Sequence, residues 1–273
     1  MINALYWLDL RVRVRERRLW VIALFFLAMP LLICLLGAMS ALQSQQALEP
    51  GDIGTMTAMC AVFCQAGLLV ILSPLAAAQR ISQEREQRTY AALVNSPLGP
   101  GAIARGKLLG AWAFTLWLGV LTLPFVAAAA LWGGMSAWVP LACFGLNLLA
   151  GLALSSLALG LSGLFGRSLS AYLASGAVLF LWCLAMPMIG GLMMGLIEGD
   201  PEPTMATMKA VFCGFLLHHP LAPQIWMTMR GSGAVATFTD WGAWVPLYGV
   251  GVWLLLMLLG YALAVRGLRR EVY

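Results

Sequence analysis

Charged side chains are absent from five long stretches of this sequence, which together make up most of its length. Only 10% of the 273 residues are charged, whereas 62% are hydrophobic. A soluble core of this size buries far less apolar surface, so a lipid bilayer is the predicted solvent. The five stretches are bounded by Arg18 and Glu49, Asp52 and Arg80, Lys107 and Arg167, Arg167 and Glu198, and Asp240 and Arg266.

Asp, Glu, Lys, Arg and His are all missing from the predicted membrane interior. The polar side chains found there are neutral, such as Gln65, Asn147, Ser155 and Ser156. Carriers and pumps driven by protons or cations hold the ion on a titratable or ion-ligating group at membrane depth. The sequence therefore disfavours a proton- or sodium-driven carrier, and the energy for any transport has to come from outside the lipid.

Residues suited to catalysis or metal binding are scarce as well. The six cysteines lack metal-finger spacing, and the only histidines, His218 and His219, have no Cys or carboxylate at catalytic spacing. Residues 101–107 match the start of a nucleotide-binding loop, but Leu108 stands where a Ser or Thr must hold magnesium. We expect no catalytic, cofactor-binding or metal-binding residue here, and the chain is not expected to be an enzyme by itself.

The uncharged stretches predict a single all-α membrane domain over residues 1–273 with six transmembrane helices. A spanning helix needs about 20 apolar residues, and the longest stretch holds two spans separated by a turn at 132–136. The predicted spans are 19–42, 54–79, 108–131, 137–164, 170–197 and 242–265. Residues 80–107 connect the second and third spans, and residues 198–241 form an external segment with two short helices.

Residues 3–18 precede the first span and combine an apolar face with five arginines near their end. This pattern favours a helix lying in the membrane interface. A strand and a disordered basic anchor are the alternatives for the same residues.

Small residues recur one helical turn apart along the span 137–164. This spacing lets a second helix approach closely, so we predict that the span packs tightly against a neighbour. The pairs are Gly151 with Ser155, Ser156 with Gly160, and Ser162 with Gly166.

The basic residues predict the orientation, because Lys and Arg concentrate in cytoplasmic loops. With the N-terminus inside, 14 of the 16 basic residues fall on the cytoplasmic side, and only Lys209 and Arg230 fall outside. We therefore predict a multi-pass protein of the cytoplasmic (inner) membrane with both termini in the cytoplasm. The net charge of +5 then reflects topology, and no nucleic-acid partner is expected.

The segment 80–107 carries seven charged residues, more than any other segment between the predicted spans. Residues 82–94 are predicted to form one short helix that Ser82 caps and Pro97 ends, and Pro100 can start the helix that leads into the third span. Tyr90, Leu93 and Val94 fall on one side of the short helix, while Arg85 and Arg88 are expected in water. Such a helix is a lever whose displacement tilts both flanking spans; the alternative is a solvated connecting loop.

The run Glu84-Arg85-Glu86-Gln87-Arg88-Thr89, followed by Leu93, Ser96-Pro97-Leu98 and Gly106-Lys107-Leu108, resembles a segment of known permeases. These are the membrane subunits of ABC-2 type ATP-binding-cassette exporters, in which the segment forms a coupling helix that docks on the ATPase. One departure is Arg88, where many relatives have glycine. The resemblance implies docking through Glu84, Arg85, Glu86, Arg88, Thr89, Tyr90 and Leu93.

The same resemblance implies the partners of the chain. It predicts two cytoplasmic ABC ATPase subunits, which bind ATP and magnesium, and a second permease chain that is either identical or a sister. Membrane lipids surround the spans, and an extracytoplasmic accessory protein is a further candidate partner for residues 198–240.

Two other readings of the architecture stay open at this stage. The same machine could serve an extracytoplasmic factor for maturation or metal-site assembly, although the methionines, which would suit copper, also fit ordinary apolar packing. A passive channel or scaffold without an ATPase would suit the uncharged spans equally well.

Overall fold

A computed structural model describes residues 50–95, 97–132, 135–198, 217, 219–232 and 244–269, together with scattered positions between 21 and 39. The described part of the chain is helical and contains no strand, which confirms the all-α class for these residues. The predicted interfacial helix at 3–18 lies outside the described residues, as do most of the span 19–42 and the greater part of the segment 198–241.

Ten α-helices follow one another in this part of the chain, and we number them in chain order. They are α1 (Pro50–Ala77), α2 (Ser82–Glu86), α3 (Tyr90–Val94), α4 (Pro100–Val120), α5 (Leu123–Trp132), α6 (Trp138–Leu164), α7 (Ser168–Phe180), α8 (Met186–Glu198), α9 (Ala222–Ser232) and α10 (Trp244–Arg269). A π-helical turn, Leu181–Ala185, joins α7 to α8.

Five stretches within the described residues are long and apolar enough to cross a membrane. They overlap the predicted second to sixth spans. Their bounds are Gly51–Glu86, Pro100–Ala128, Trp138–Leu164, Ser168–Met193 and Trp244–Arg269.

Helix α6 lies at the centre of the bundle, and its main neighbour is α10. The backbones of the two helices touch through glycines: a Cβ added at Gly160 would lie 2.6 Å from the carbonyl oxygen of Gly260, and one added at Gly267 would overlap the backbone of Gly163. The close approach predicted from the small residues of this span is thus confirmed, and it occurs within one chain.

Proline interrupts two of the long helices. The third span was predicted as one helix, but it breaks at 121–122, just before Pro124. The π-helical turn likewise ends just before Pro187. Proline has no N–H to donate, and its ring collides with the carbonyl four residues earlier, so a regular α-helix is disturbed at these positions.

Helix α9 comes from the predicted external segment and packs into the bundle. Its residues Gln224 and Thr228 are buried, and Pro223 lies so close to Gly249 of α10 that a Cβ there would overlap it. Just before α9, Nε2 of His219 lies 3.1 Å from the carbonyl oxygen of Cys183 in the π-helical turn. This part of the segment is therefore held by α10 and by the broken span.

Candidate functional site

The segment 80–107 contains two short helices where the sequence predicted one. Helix α2 ends at Glu86 and α3 begins at Tyr90, and between them Arg88 has a φ of 57°, in the left-handed region. A right-handed helix cannot continue through this conformation, which is also strained for a residue with a side chain, so the chain turns a corner at Arg88. The prediction of a continuous helix over 82–94 is wrong for this reason.

A side chain from a distant helix satisfies the start of α2. The Ser162 hydroxyl oxygen of α6 accepts the backbone N–H groups of Ile81 and Ser82, both over 3.1 Å, and lies 3.1 Å from the Ser82 hydroxyl. Ser82 is itself the first helical residue and makes no capping bond, so its predicted role as the cap is wrong. Ser162 fills that role from the centre of the bundle, and both serines are fully buried.

Arg85 attaches the segment to the ends of two long helices. Its guanidinium donates to the carbonyl oxygen of Phe165, which follows α6, over 2.9 Å, and to that of Gly267 near the end of α10 over 3.2 Å. The same group lies 5.0 Å from the centre of the Tyr90 ring. Carbonyl groups at a helix C-terminus carry partial negative charge, which suits a cation. Arg85 is half-buried, so its predicted position in water is wrong.

Tyr90 and Leu93 share one side of α3, as the sequence predicted, and that side faces the bundle. The buried Tyr90 packs with Ile81, Ile103 and Leu268, and Leu93 lies against the same cluster. The Tyr90 hydroxyl donates to the carbonyl oxygen of Leu268 over 3.2 Å, again at the end of α10. The side chain of Val94, which was assigned to the same face, lies outside the described part.

Glu86 binds a helix N-terminus, whereas Arg85 binds carbonyl groups at helix C-termini. Its Oε1 accepts the backbone N–H of Ser168, the first residue of α7, over 2.9 Å, and its Oε2 is bonded to the Ser168 hydroxyl. These hydrogen bonds hold the pKa of Glu86 below its usual value; burial opposes them, and the neighbouring Arg167 lowers the pKa further. A carboxylate at a helix N-terminus is favourable because the N–H groups there carry partial positive charge.

Lys107 closes the segment on itself. Its Nζ lies 2.6 Å from Oε1 of Glu84 and donates to the carbonyl oxygen of Arg80 over 2.9 Å. The lysine side chain is only 14% exposed, and that of Glu84 is 29% exposed. The two ends of the segment are therefore joined by a partly buried ion pair.

The seven predicted docking residues fall into two groups. Glu84, Arg85, Tyr90 and Leu93 are buried or half-buried, and they contact the segment itself or the bundle. Glu86, Arg88 and Thr89 are exposed at the corner between α2 and α3. We call residues 86–89 the exposed corner.

Ser162 and Ser168 were not predicted to take part in this site. Both lie about 80 positions away along the chain from the groups they contact. Ser162 was noted only for its small size, and the one available signal for Ser168 was its place just before an apolar stretch, which is typical of a helix start.

The described residues do not form a metal-binding site. No three His, Cys, Asp or Glu side chains come together among the residues the structure describes. The geometry of the segment suits attachment between helices, with charged groups placed on the matching helix ends.

The fold and this site define a multi-pass membrane protein in which a short charged segment is anchored to the ends of several long helices. The chain belongs to the ABC-2 family of transporter proteins, because the family model, described as ABC-2 family transporter protein, matches residues 3–268. This confirms the resemblance found in the sequence. Permeases of this family normally work with an ATPase partner. A comparison with curated proteins found no match.

Proposed function

We propose that this chain is the membrane-spanning half of an ATP-driven exporter and that a separate ATPase docks on the exposed corner. The main support for this proposal is that the segment divides into a part anchored to the bundle and an exposed part. Arg85 and Tyr90 are attached to the bundle, whereas Arg88 and Thr89 project from it. A segment fixed on one side and polar on the other is suited to bind a soluble partner and to pass movement to the membrane.

In this proposal the end of the bundle that carries residues 80–107 faces the cytoplasm, as do both termini. The exposed cations Arg105, Arg167, Arg266 and Arg269 belong to the same side, which agrees with the concentration of basic residues in cytoplasmic regions. ATP and magnesium bind to the ATPase, and this chain contributes no catalytic group. The membrane in question is the inner membrane.

A second permease chain completes the proposed transporter, as a homodimer or with a sister chain. In the apolar 18-residue portion of Ser168–Met193 only 11% is buried inside the chain, compared with 50% in that of Trp138–Leu164, so its apolar face needs lipid or another chain against it. Transport is proposed to run out of the cytoplasm or the inner leaflet.

Affinity purification from the native membrane tests the docking. A soluble ATPase should be retained in a fixed ratio to this chain, and Arg88→Glu should lower that retention because it reverses the charge of the exposed corner. Arg105→Glu makes the same charge change at an exposed residue of α4 that is not part of the corner 86–89, and it should keep the partner. A stable, monodisperse chain that never retains an ATPase would contradict the proposal and favour a channel or scaffold.

A further inference from the structure

We infer that the segment 80–107 transmits the movement of its partner mainly to the helices α6, α7 and α10, and that Arg85, Glu86 and Ser162 are the positioning residues for this step. The inference rests on the proposed function, because it concerns what happens after an ATPase has docked. It replaces the sequence-based expectation of a lever that tilts the two flanking spans.

The first argument is the location of the contacts. Ser162 lies in α6 and holds the start of α2. Arg85 binds the carbonyl groups after α6 and near the end of α10, and Glu86 binds the first residue of α7. Three helices that are distant in sequence are therefore attached to one stretch of five residues, Ser82–Glu86.

The second argument is the match of charge to helix end. The cation Arg85 meets carbonyl groups, and the anion Glu86 meets a backbone N–H. Each charge sits at the end of the helix dipole that favours it. The contacts are thus specific in direction, and a displacement of α2 acts on the three helix ends together.

The third argument is the stiffness of the pair α6 and α10. Gly163 and Gly267 bring the two backbones into contact next to the carbonyl groups that Arg85 binds. Close-packed backbones leave no space for one helix to slide independently of the other. A force applied through Arg85 at either end therefore moves both helices as one body.

Hydrogen exchange of the transporter in lipid nanodiscs tests this inference. The complex of the chain with its co-purified ATPase is compared without nucleotide and after trapping with ADP and vanadate. In the unaltered complex, trapping should change the exchange rates of residues 161–170 and 264–269. Arg85→Ala should keep the ATPase bound, but the nucleotide-dependent change at these helix ends should fall to about half or less.

Two further variants make the result decisive. Ser162→Ala removes the acceptor for two N–H groups without removing a charge, and it should reduce the response in the same way. It takes the place of Arg85→Ala if that variant does not fold. Arg105→Ala removes an exposed arginine of α4 and should leave the response unchanged.

The outcomes separate the two proposals. A retained ATPase with the same nucleotide-dependent exchange in Arg85→Ala, Ser162→Ala and the unaltered chain would overturn this inference and leave the proposed function standing. Failure of the unaltered chain to retain any ATPase would overturn both.

Discussion

Nδ2 of Asn147 donates a hydrogen bond to Oε1 of Gln65 over 2.9 Å, and this pair forms the centre of a buried polar network. Asn147 also donates to the carbonyl oxygen of Val62, and Gln65 donates to the hydroxyl of Thr122 at the break between α4 and α5. The amide of Gln224 in α9 lies 2.8 Å from Oδ1 of Asn147. The network joins α1, α6 and α9 to the break in the third span, and its members Gln65, Thr122 and Asn147 belong to predicted spans.

Removing the amide of Asn147 should destabilise the fold. Asn147→Leu keeps the branched shape of the side chain but leaves the groups of Val62, Gln65 and Gln224 without their partner, at a cost of about 1–3 kcal/mol. The free energy of unfolding in mixed micelles, measured by denaturant titration, gives this value. Ser155→Ala is the matched control, because the Ser155 hydroxyl is buried in the same helix and has no hydrogen-bond partner among the described residues. Equal costs for the two variants would contradict the assigned role of the network.

The contact between α6 and α10 should be disrupted by the addition of a single methyl group. A Cβ at Gly260 would overlap the carbonyl group of Ser156, so Gly260→Ala has to push the helices apart and should cost about 1–3 kcal/mol. Gly251→Ala, in the same helix, meets no atom within 4 Å and should be neutral or slightly stabilising. Thermal unfolding of both variants in detergent measures the difference, and a control as unstable as Gly260→Ala would rule out the close contact as the cause.

The sequence was a good guide where the pattern was local. The apolar positions predicted that Tyr90 and Leu93 share one side of a helix, and Pro100 predicted the start of α4, because both depend on neighbours within one or two turns. The small residues of α6 predicted a close helix contact for the same reason, but they did not identify α10 as the partner.

Features that depend on distant residues could not be predicted. Arg85 looked like a solvated cation, since the carbonyl groups that it binds belong to residues 80 and 182 positions away. Ser162 takes over the capping of α2 because tertiary packing brings its hydroxyl to the helix start, whereas the local pattern favoured Ser82. Periodicity contains no information on such contacts.

Glycine at position 88 should relieve backbone strain. Arg88 has a φ of 57°, a conformation that costs a residue with a Cβ about 1 kcal/mol and that glycine adopts freely. This conformation gives a physical reason for the glycine that many members of the family have at this position. Because glycine also loses more freedom on folding, we expect Arg88→Gly to raise the free energy of unfolding by between zero and about 1 kcal/mol.

The control for this change is Arg105→Gly. Arg105 lies within α4, where glycine is less favourable than most residues, so the same substitution should lower stability by about 0.5–1 kcal/mol. Opposite signs at positions 88 and 105 would confirm the left-handed corner. A loss of stability at position 88 as large as that at position 105 would disprove it.

Acid should weaken the attachment of the residues around α9 through His219. Nε2 of His219 lies 3.1 Å from the carbonyl oxygen of Cys183, which can only accept, and Nδ1 accepts the backbone N–H of Leu221 over 3.1 Å. The bond from Leu221 requires an unprotonated Nδ1 and therefore the neutral ring, whereas Nε2–H can donate to Cys183 in either charge state. Burial lowers the pKa of His219 below its ordinary value of 6.5, although the bond to Cys183 opposes this. The unfolded chain therefore takes up a proton first as the pH falls. The contribution of His219 to stability is complete above about pH 6.5 and is lost progressively as the pH falls below that value.

His219→Gln separates this effect from other acid-induced changes. The glutamine amide can donate to the Cys183 carbonyl and accept from Leu221, yet it does not titrate in this range. Melting temperatures measured between about pH 7.5 and 5.5 should fall less in His219→Gln than in the unaltered chain, because one group that gains a proton on unfolding has been removed. His218→Gln changes the other histidine of the sequence and should keep the full pH dependence. If His219→Gln lost as much stability in acid as the unaltered chain, the buried neutral ring could not be the group that responds.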